Sequence, residues 1–297
     1  MEAVKVENLE KFYGDLHALK DINMEVHEGE IFGIIGPNGS GKTTLLECIL
    51  GLRPFNKGFI HVNDIDVTRE HKKLVYEIGA QLQECTLSKS IKVKEAVHMQ
   101  AALFHVKVDV VKLLEHFGLE KKMNTYFSNL SGGQKQKLFI LLAQLHNPSI
   151  LVFDELSTGL DPIARSSMWK DILELKKQGK TILISTHYME EASYICDRLI
   201  MLKNGNIISY GTPTELIAQL PFRYIASMCQ KDYQLHKEQL NNFEISEIEG
   251  QKVLIHLNTE EERNQIFLLN DDGKELQMTI RNSDLDDFYQ YKMKENS

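Results

Sequence analysis

Residues Gly36 to Thr43 match the phosphate-binding loop pattern G-x-x-x-x-G-K-[ST]. The glycines of such a loop let the backbone curl, so that its N–H groups and the N-terminus of the following helix point at a polyphosphate. Lys42 would place a cation between the β- and γ-phosphates, and the Thr43 hydroxyl would be a ligand for Mg²⁺. The sequence therefore predicts a nucleotide-binding loop that contains Asn38, Gly39, Ser40, Gly41, Lys42, Thr43 and Thr44.

A pair of carboxylates, Asp154 and Glu155, follows the apolar run 150–153. Asp154 is placed to hold Mg²⁺ directly or through water, and Glu155 to polarise the water that attacks a γ-phosphate. Phosphoryl transfer mainly requires positioning and charge neutralisation, so a cation, a metal and a water-orienting group are sufficient for it. On its own such a pair is as often a solvated strand end, but the phosphate loop upstream favours the catalytic interpretation.

The elements around these residues alternate between strands and helices. Three apolar runs are typical of buried strands. The first ends just before the phosphate loop, the second at the carboxylate pair and the third near His187. Strands that alternate with helices predict a mostly parallel sheet, whose ligands bind at the carboxyl ends of the strands. Lys42, the carboxylate pair and His187 are therefore expected to face one site.

The composition is that of a soluble globular protein, with 297 residues of which 42% are hydrophobic and 26% are charged. The formal net charge of −8 argues against a nucleic-acid-binding surface, which usually carries a basic balance. The four cysteines have no short spacing, so reduced thiols in the cytosol are expected instead of a zinc site or disulfides. Neither a signal peptide nor a membrane-spanning apolar run is expected, so any membrane role would come through a partner.

The remaining patterns divide the chain into regions. Alternating apolar and polar residues at 3–9 and 22–26 predict antiparallel strands ahead of the phosphate loop. Residues from about 86 to 140 have helical spacing, which predicts a helical insertion in an otherwise α/β domain. Motif density falls toward the C-terminus, so we predict a first domain over 1–220 and a small α+β accessory domain over 221–297.

Residues 130–134 read L-S-G-G-Q and open a helix ahead of the strand that ends in Asp154. With this segment the sequence resembles the ATP-binding cassette (ABC) family. The resemblance implies a P-loop NTPase fold of ABC type, with a mostly parallel core sheet, an antiparallel β subdomain and a helical insertion. Two glycines opening a helix make a second anion-binding site. In the family this site serves the ATP held by another copy, which implies nucleotide-binding roles for Ser131, Gly132, Gly133 and Gln134.

Further positions match the family in order. Tyr13 matches the aromatic residue that stacks on adenine, although a core or turn tyrosine is the alternative. Gln83 matches the glutamine that contacts Mg²⁺ and couples the site to the helical insertion. Gln81, two residues earlier, is the alternative candidate for this position. Asp161 lies in a loop, S-T-G-L-D, that crosses the dimer interface, and His187 matches the histidine that contacts the γ-phosphate. The resemblance implies catalytic roles for Glu155, His187, Lys42 and Gln83, and metal-binding roles for Thr43, Gln83 and Asp154.

Two positions depart from the family pattern. The residue after the catalytic glutamate is usually proline and is Leu156 here, and Lys137 stands where arginine is usual. Neither change removes a catalytic group. Hydrolysis of ATP with Mg²⁺ is therefore expected, whereas its rate is left open.

Segments 186–192 and 211–213 look like the stand-alone ATPase subunits of bacterial drug and antimicrobial-peptide exporters. Those subunits often carry a small C-terminal domain that ends in a segment similar to 283–288; a dimer-stabilising tail of no particular pathway is the alternative. The resemblance implies an ATP-hydrolysing subunit at the cytoplasmic face of the cell membrane. Such a subunit would power a separate multi-span permease that exports drugs, peptides or other amphipathic compounds.

Two cassettes, identical or paired with a paralogue, are expected to sandwich two Mg-ATP, and no nucleic acid is expected as a partner. A soluble ABC ATPase that acts on ribosomes or nucleic acid shares the same site chemistry, but the acidic charge disfavours it. A regulatory subunit that binds ATP with little turnover is the other alternative, and the presence of Glu155 and His187 disfavours it. The sequence identifies neither the transported molecule nor its direction.

Overall fold

The computed structural model describes residues 1–83, 85–248, 252–269 and 278–295. Contacts divide the chain into two units, Met1–Thr212 and Pro213–Ser297, which we call the N-terminal and C-terminal units. The division falls slightly before the predicted boundary at 220, because the short helix that starts at Pro213 groups with the second unit. The division into an ATP-binding domain over 1–220 and an accessory domain over 221–297 stays a prediction.

The N-terminal unit contains strands and helices in alternation. Its strands are β1 (Glu2–Tyr13), β2 (Leu16–His27), β3 (Ile31–Ile35), β4 (Lys57–Val62), β5 (Ile65–Asp66), β6 (Ile78–Gln81), β7 (Ile150–Asp154), β8 (Thr181–Thr186), β9 (Arg198–Lys203) and β10 (Asn206–Gly211). Its helices are α1 (Lys42–Ile49), α2 (His71–Glu77), α3 (Val93–Leu103), α4 (Val110–His116), α5 (Gly132–Gln144), α6 (Pro162–Lys177) and α7 (Met189–Ile195).

A sheet in the order β10-β9-β3-β8-β7-β6 forms the centre of this unit, and its strands are parallel except β10. Every residue of β3, β7 and β8 is buried. Strands of a parallel sheet are covered on both faces, which is why these segments are continuous apolar runs in the sequence. The carboxyl ends of β3, β7 and β8 lie side by side, so the residues that follow them meet at one edge.

A second, antiparallel sheet has the order β2-β1-β4-β5. Its long strands alternate between buried and exposed residues, as expected for a sheet with one face on the core. Helices α3 and α4 lie between β6 and β7 in the chain, and α5 follows them. The predicted fold class is therefore confirmed: a mostly parallel core sheet, an antiparallel β subdomain and a helical insertion.

The C-terminal unit contains α8 (Pro213–Ile217), β11 (Tyr224–Cys229), α9 (Gln230–His236), β12 (Glu244–Ile248), β13 (Lys252–Leu257), α10 (Glu260–Leu268), β14 (Met278–Asn282) and α11 (Leu285–Glu295). Its strands form an antiparallel sheet in the order β12-β13-β11-β14. From β11 to β14 the order of elements is β-α-β-β-α-β, which is a ferredoxin-like arrangement. The predicted α+β appendage is confirmed.

Helices α9 and α10 cover one face of this second unit's sheet through an apolar core that includes Tyr233, Ile255 and Ile266. In the described part of the chain, no helix combines the length and apolarity needed to cross a membrane.

Candidate nucleotide-binding site

The loop between β3 and α1 encloses the side chain of Lys42. This side chain is buried and donates from Nζ to the backbone oxygens of Gly36 (2.9 Å) and Pro37 (3.2 Å). Gly41 ends the loop with φ at 111°, and a Cβ there would lie 3.0 Å from the backbone oxygen of Ala18. Only glycine fits this turn without strain. The predicted phosphate loop is therefore a strand-to-helix turn with a buried cation at its centre.

Asp154 ends β7 and is fully buried. Its Oδ2 accepts a hydrogen bond from Thr43 Oγ1 at 2.8 Å, and its Oδ1 accepts one from the hydroxyl of Ser185. Ser185 is the residue that pairs with Asp154 across the parallel β7–β8 ladder. The strand register thus aims this carboxylate at the start of α1, where Thr43 lies.

The oxygens of Thr43 and Asp154 are the group that could hold a metal ion. Among the described residues, no cluster of three or more His, Cys, Asp or Glu side chains could form an all-protein metal site. One hydroxyl and one carboxylate at 2.8 Å fit Mg²⁺ instead, because Mg²⁺ prefers oxygen ligands and takes the rest from water and substrate phosphates.

Glu155 adopts a left-handed backbone conformation, with φ at 50°. Its N–H donates to the backbone oxygen and the Oγ of Ser185, at 3.1 Å each. A non-glycine residue in this conformation costs about 1–3 kcal/mol and persists where surrounding contacts hold it, often at functional sites. The Glu155 carboxylate lies 3.5 Å from Lys42 Nζ and 3.6 Å from His187 Nδ1. The three strand-end residues expected to meet at one site therefore do so.

Of the two candidate glutamines, Gln83 reaches this cluster. Its Nε2 donates to Glu155 Oε2 at 3.1 Å. Gln81, in contrast, is the last residue of β6 and is buried in the sheet. The geometry favours the choice of Gln83 made from the sequence, and its function stays a prediction.

A cavity of about 670 Å³ opens beside the loop. Its lining includes Tyr13, Asn38, Gly39, Gly41, Lys42, Thr43, Thr44, Gln83 and Glu155. Ser40, which belongs to the loop itself, is buried and is not part of the lining. Tyr13 is 38% exposed, and the cations of Lys11 and Arg53 lie 4.8 and 5.6 Å from its ring centre. An exposed aromatic ring beside a phosphate loop is suited to stacking on a nucleobase.

The turn between β9 and β10 also lines this cavity, through Asn204 and Gly205. The Gly205 N–H donates to the Ser40 backbone oxygen at 3.0 Å, and its carbonyl accepts from the Lys20 N–H at 2.8 Å. Gly205 has φ at +79°, and a Cβ on it would lie 2.6 Å from the backbone oxygen of Ala18. An Asn-Gly dipeptide predicts no more than a hairpin turn, because the contacts of Gly205 are with residues far away in the chain.

Glu191 is a second residue whose part in the site had no signal in the sequence. It is buried on α7, and its carboxyl accepts from Ser157 Oγ at 3.0 Å and from Trp169 Nε1 at 2.9 Å. Burial raises the pKa of this carboxyl, and the hydrogen bonds partly oppose the rise. Glu191 thereby connects the turn after Glu155 to the helix that begins just after His187.

Ser131 and Gln134 cap α5 reciprocally. Ser131 Oγ accepts from the Gln134 N–H at 3.3 Å, and Gln134 Oε1 accepts from the Ser131 N–H at 3.1 Å. Ser131 and Gly132 are exposed, whereas Gly133 and Gln134 are half-buried. None of the four belongs to the lining of the cavity beside Lys42. The predicted second phosphate site is therefore a surface feature outside that cavity.

Asp161 caps the next long helix. Its Oδ1 accepts from the N–H groups of Ile163 (3.0 Å) and Ala164 (2.9 Å), and Pro162 occupies the first helical position of α6. Both features are strong helix-start signals. The structure gives Asp161 a capping contact outside the cavity, and its predicted role toward a partner's nucleotide stays a prediction.

The two positions that depart from the family pattern have defined surroundings. The Leu156 side chain is buried, so the turn after Glu155 is anchored by apolar packing. Lys137 Nζ lies 3.6 Å from Asp171 Oδ2. Burial raises the pKa of Asp171, and the Lys137 cation opposes this rise.

Comparisons with known sequences agree with this geometry. A profile of ABC transporters matches residues 19–158. The Nod factor export ATP-binding protein I of Rhizobium etli is 38% identical over 74% of this chain and 71% of its own length. The methionine import ATP-binding protein MetN of Clostridioides difficile is 37% identical over 72% and 70%. The linearmycin resistance ATP-binding protein LnrL of Bacillus subtilis is 32% identical over 73% and 71%.

Solved structures lead to the same family. The ADP conformation of an ATP-binding cassette of an ABC transporter has a TM-score of 0.65 at 30% identity, covering 72% of this chain and 92% of that chain. A dimeric post-hydrolysis state of another ATP-binding cassette, bound to ADP and phosphate, has a TM-score of 0.64 at 27% identity, covering 70% and 98%. Homologous ATP-binding domains are ATPases that power transport. The phosphate loop, the clustered strand-end residues and these relatives together show that the chain belongs to the ATP-binding proteins of ABC transporters.

Proposed function

We propose that this chain binds and hydrolyses Mg-ATP and thereby powers a separate membrane permease. The observation that carries the proposal is the convergence of Lys42, Gln83, Glu155 and His187 beside the phosphate loop. A cation, a carboxylate and two polar side chains around one point are the groups that phosphoryl transfer to water requires.

The side chains have complementary roles in this reaction. Lys42 neutralises charge on the β- and γ-phosphates, and Tyr13 stacks on the base. Glu155 orients the attacking water, because it is the carboxylate nearest to Lys42 and is fixed through its backbone N–H by Ser185. Gln83 donates a hydrogen bond to one oxygen of this carboxylate, and His187 Nδ1 lies 3.6 Å from the other oxygen. Mg²⁺, held by Thr43, Asp154 and Gln83, would supply charge neutralisation on the phosphate oxygens.

A second cassette, either another copy or a paralogue, completes the site in this proposal. Ser131 and Gly132 are exposed at the N-terminus of α5 and lie outside their own chain's cavity. A helix N-terminus with exposed N–H groups suits a phosphate brought by another molecule. The dimeric cassette bound to ADP and phosphate is similar to this chain and supports a paired arrangement. Asp161, on the loop before α6, would contact the partner.

An apolar groove between the core and the helical insertion is the proposed docking place for the permease. It has a volume of about 230 Å³, and Leu52, Val75, Leu103 and Phe104 line it. Leu52 is 57% exposed and Leu103 is 68% exposed, and because they line the same groove they form part of one apolar patch, the kind of surface that often marks an interaction site. We propose a cytosolic helix of the permease as its occupant, which places the chain peripherally at the cytoplasmic face of the cell membrane.

Export is the proposed direction. Relatives named for Nod factor export and linearmycin resistance, at 38% and 32% identity, support this direction. A relative named for methionine import has a comparable identity of 37%. We propose drugs, peptides or other amphipathic compounds as the exported class, and no nucleic acid as a partner because the net charge is −8.

The test is to tag the chain, solubilise its host's membranes in mild detergent and identify the proteins that co-purify. We expect a multi-span membrane protein whose presence raises ATP hydrolysis. Leu103→Glu should abolish the co-purification without affecting hydrolysis by the isolated chain, whereas Phe59→Glu, at a 60% exposed residue of β4, should leave it intact. Recovery of ribosomes or nucleic acid in place of a membrane protein would contradict the proposal, as would ATP binding with negligible turnover.

A further inference from the structure

The C-terminal unit contains a cavity on the side of its sheet opposite the apolar core. Val253 and Ile255 of β13 point into that core. Because alternate residues of a strand point to opposite faces, Leu254 and His256 lie on the other face, where they line a cavity of about 380 Å³. Tyr291 of α11 is also part of the lining. Small-molecule sites typically have volumes of about 300–1,000 Å³, so this cavity is large enough for a ligand.

Aromatic rings form one wall of the cavity. Phe222 stacks on His256 with ring centroids 4.1 Å apart and an interplanar angle of 18°. Tyr291 meets Phe222 edge to face at 6.4 Å. Ser246 Oγ lies 3.3 Å from His256 Nε2 and fixes the imidazole in the plane of the stack. This wall is therefore preorganised for an apolar or cationic group.

Three carboxylates line the same cavity, and two of them have cationic partners. Asp287 accepts two hydrogen bonds from Arg281, at 2.6 and 2.8 Å. Glu295 forms an ion pair with the lysine three positions before it. Glu244 has no lysine or arginine at ion-pair distance in the described part of the chain, and its nearest potential cation is His256, with Nδ1 3.7 Å away.

The imidazole of His256 is a weak countercharge for Glu244. Burial lowers the pKa of His256 and so disfavours the charged imidazolium, and the carboxylates of Glu244 and Asp287 partly oppose this shift. Lys294 also lines the cavity, but its side chain is exposed and a lysine stem can carry its charge into the solvent. The cavity therefore offers one carboxylate that has no lysine or arginine partner among the described residues, on a side chain that is 73% exposed, beside aromatic and aliphatic walls.

We propose that this cavity binds a small organic amine, with its ammonium group at Glu244 and its apolar body against Phe222, Leu254 and Tyr291. An ammonium group forms charge-assisted hydrogen bonds with a carboxylate and is attracted to aromatic faces. A ligand with a carboxylate at this position would be repelled by Glu244, and a neutral ligand would lose the charge-assisted bond. The site uses none of the residues proposed to bind ATP, so it stands independently of that function.

The experiment is a calorimetric titration of the full chain with three compounds that share one apolar body: phenethylamine, hydrocinnamate and phenethyl alcohol. We expect the amine to bind saturably and several-fold more tightly than the acid or the alcohol, because an ion pair at a largely exposed carboxylate gives a modest preference. Glu244→Gln, which keeps the shape and removes the charge, should weaken amine binding several-fold, to the affinity of the alcohol.

Glu261→Gln is the matched control, because Glu261 is exposed on α10 and lies outside the cavity. It should leave the affinity for phenethylamine unchanged. Three outcomes would overturn the proposal: no saturable amine binding, equal binding of all three compounds, or equal loss of affinity in Glu244→Gln and Glu261→Gln. Because Glu244 is itself exposed, its replacement is not expected to disturb folding.

Discussion

Gln83 donates a hydrogen bond from Nε2 to Glu155 Oε2 across 3.1 Å. Gln83 follows β6, next to the helical insertion, whereas Glu155 follows β7. The bond therefore connects the segment that leads into the helical insertion with the carboxylate proposed to orient water. A shift of the insertion could change the position of Glu155 through this single contact.

Gln83→Ala is expected to lower kcat for ATP hydrolysis by about tenfold with little change in KM. The reason is that Glu155 loses one of the groups that hold its carboxylate, and misplacement of a catalytic group costs rate more than binding. Steady-state kinetics of the purified chain would measure both constants. Gln178→Ala, at an exposed position after α6, should leave both constants unchanged.

Ser185→Ala should lower kcat by about 10–100-fold, because residues that orient metal or catalytic ligands typically contribute that much. Ser185 contacts both acidic residues: its hydroxyl donates to Asp154 and accepts from the Glu155 N–H. Part of this loss of activity should come from weaker Mg²⁺ binding. The Mg²⁺ concentration that gives half-maximal activity should therefore rise. Ser209→Ala is the control, and an unchanged Mg²⁺ dependence in Ser185→Ala would argue against the proposed metal site.

Gly205→Ala should raise KM for ATP by about tenfold and lower the melting temperature. The reason is that the added Cβ would lie 2.6 Å from the backbone oxygen of Ala18, so the turn must move. Because the Gly205 N–H donates to the backbone oxygen of Ser40, a displaced turn would also shift Ser40 and distort the phosphate loop. Gly179→Ala introduces comparable strain, with φ at +85°, but has no neighbour within 4 Å. It should lower the melting temperature without affecting KM, and equal KM values in the two variants would contradict the proposed support of the loop.

Glu191→Gln should flatten the dependence of stability on pH. Burial raises the pKa of Glu191, so the folded protein holds this proton more tightly than the unfolded chain. The stability it contributes is fully present below the unfolded pKa and is lost as the pH rises through the folded value. Urea unfolding from about pH 5 to about pH 8 should show a steeper loss in the wild type than in the variant. Glu190→Gln, at a 71% exposed side chain, should keep the wild-type slope.

The central strands could be predicted because burial on both faces leaves a continuous apolar run, as in β3, β7 and β8. The phosphate loop and the carboxylate pair could also be predicted from the sequence, because their chemistry depends on residue types at short, fixed spacings. The helical insertion and the strands of the C-terminal unit also have local signals.

Other features depend on contacts that no local pattern contains. The left-handed backbone of Glu155 is held by Ser185 on the neighbouring strand. The contact of Gly205 with the phosphate loop and the buried hydrogen bonds of Glu191 likewise join segments far apart in the chain. Strand order in the C-terminal unit and the cavity beside Glu244 arise only when that sheet is assembled.

The most direct test of the central claim is steady-state ATP hydrolysis by the wild type and by Glu155→Gln, with Glu174→Gln as a control at an exposed glutamate of α6. We predict hydrolysis by the wild type and the control, and loss of turnover in Glu155→Gln, which should still bind ATP and accumulate as an ATP-bound dimer. Hydrolysis at the wild-type rate in Glu155→Gln would contradict the assignment of Glu155 as the water-orienting carboxylate, and with it the proposed mechanism.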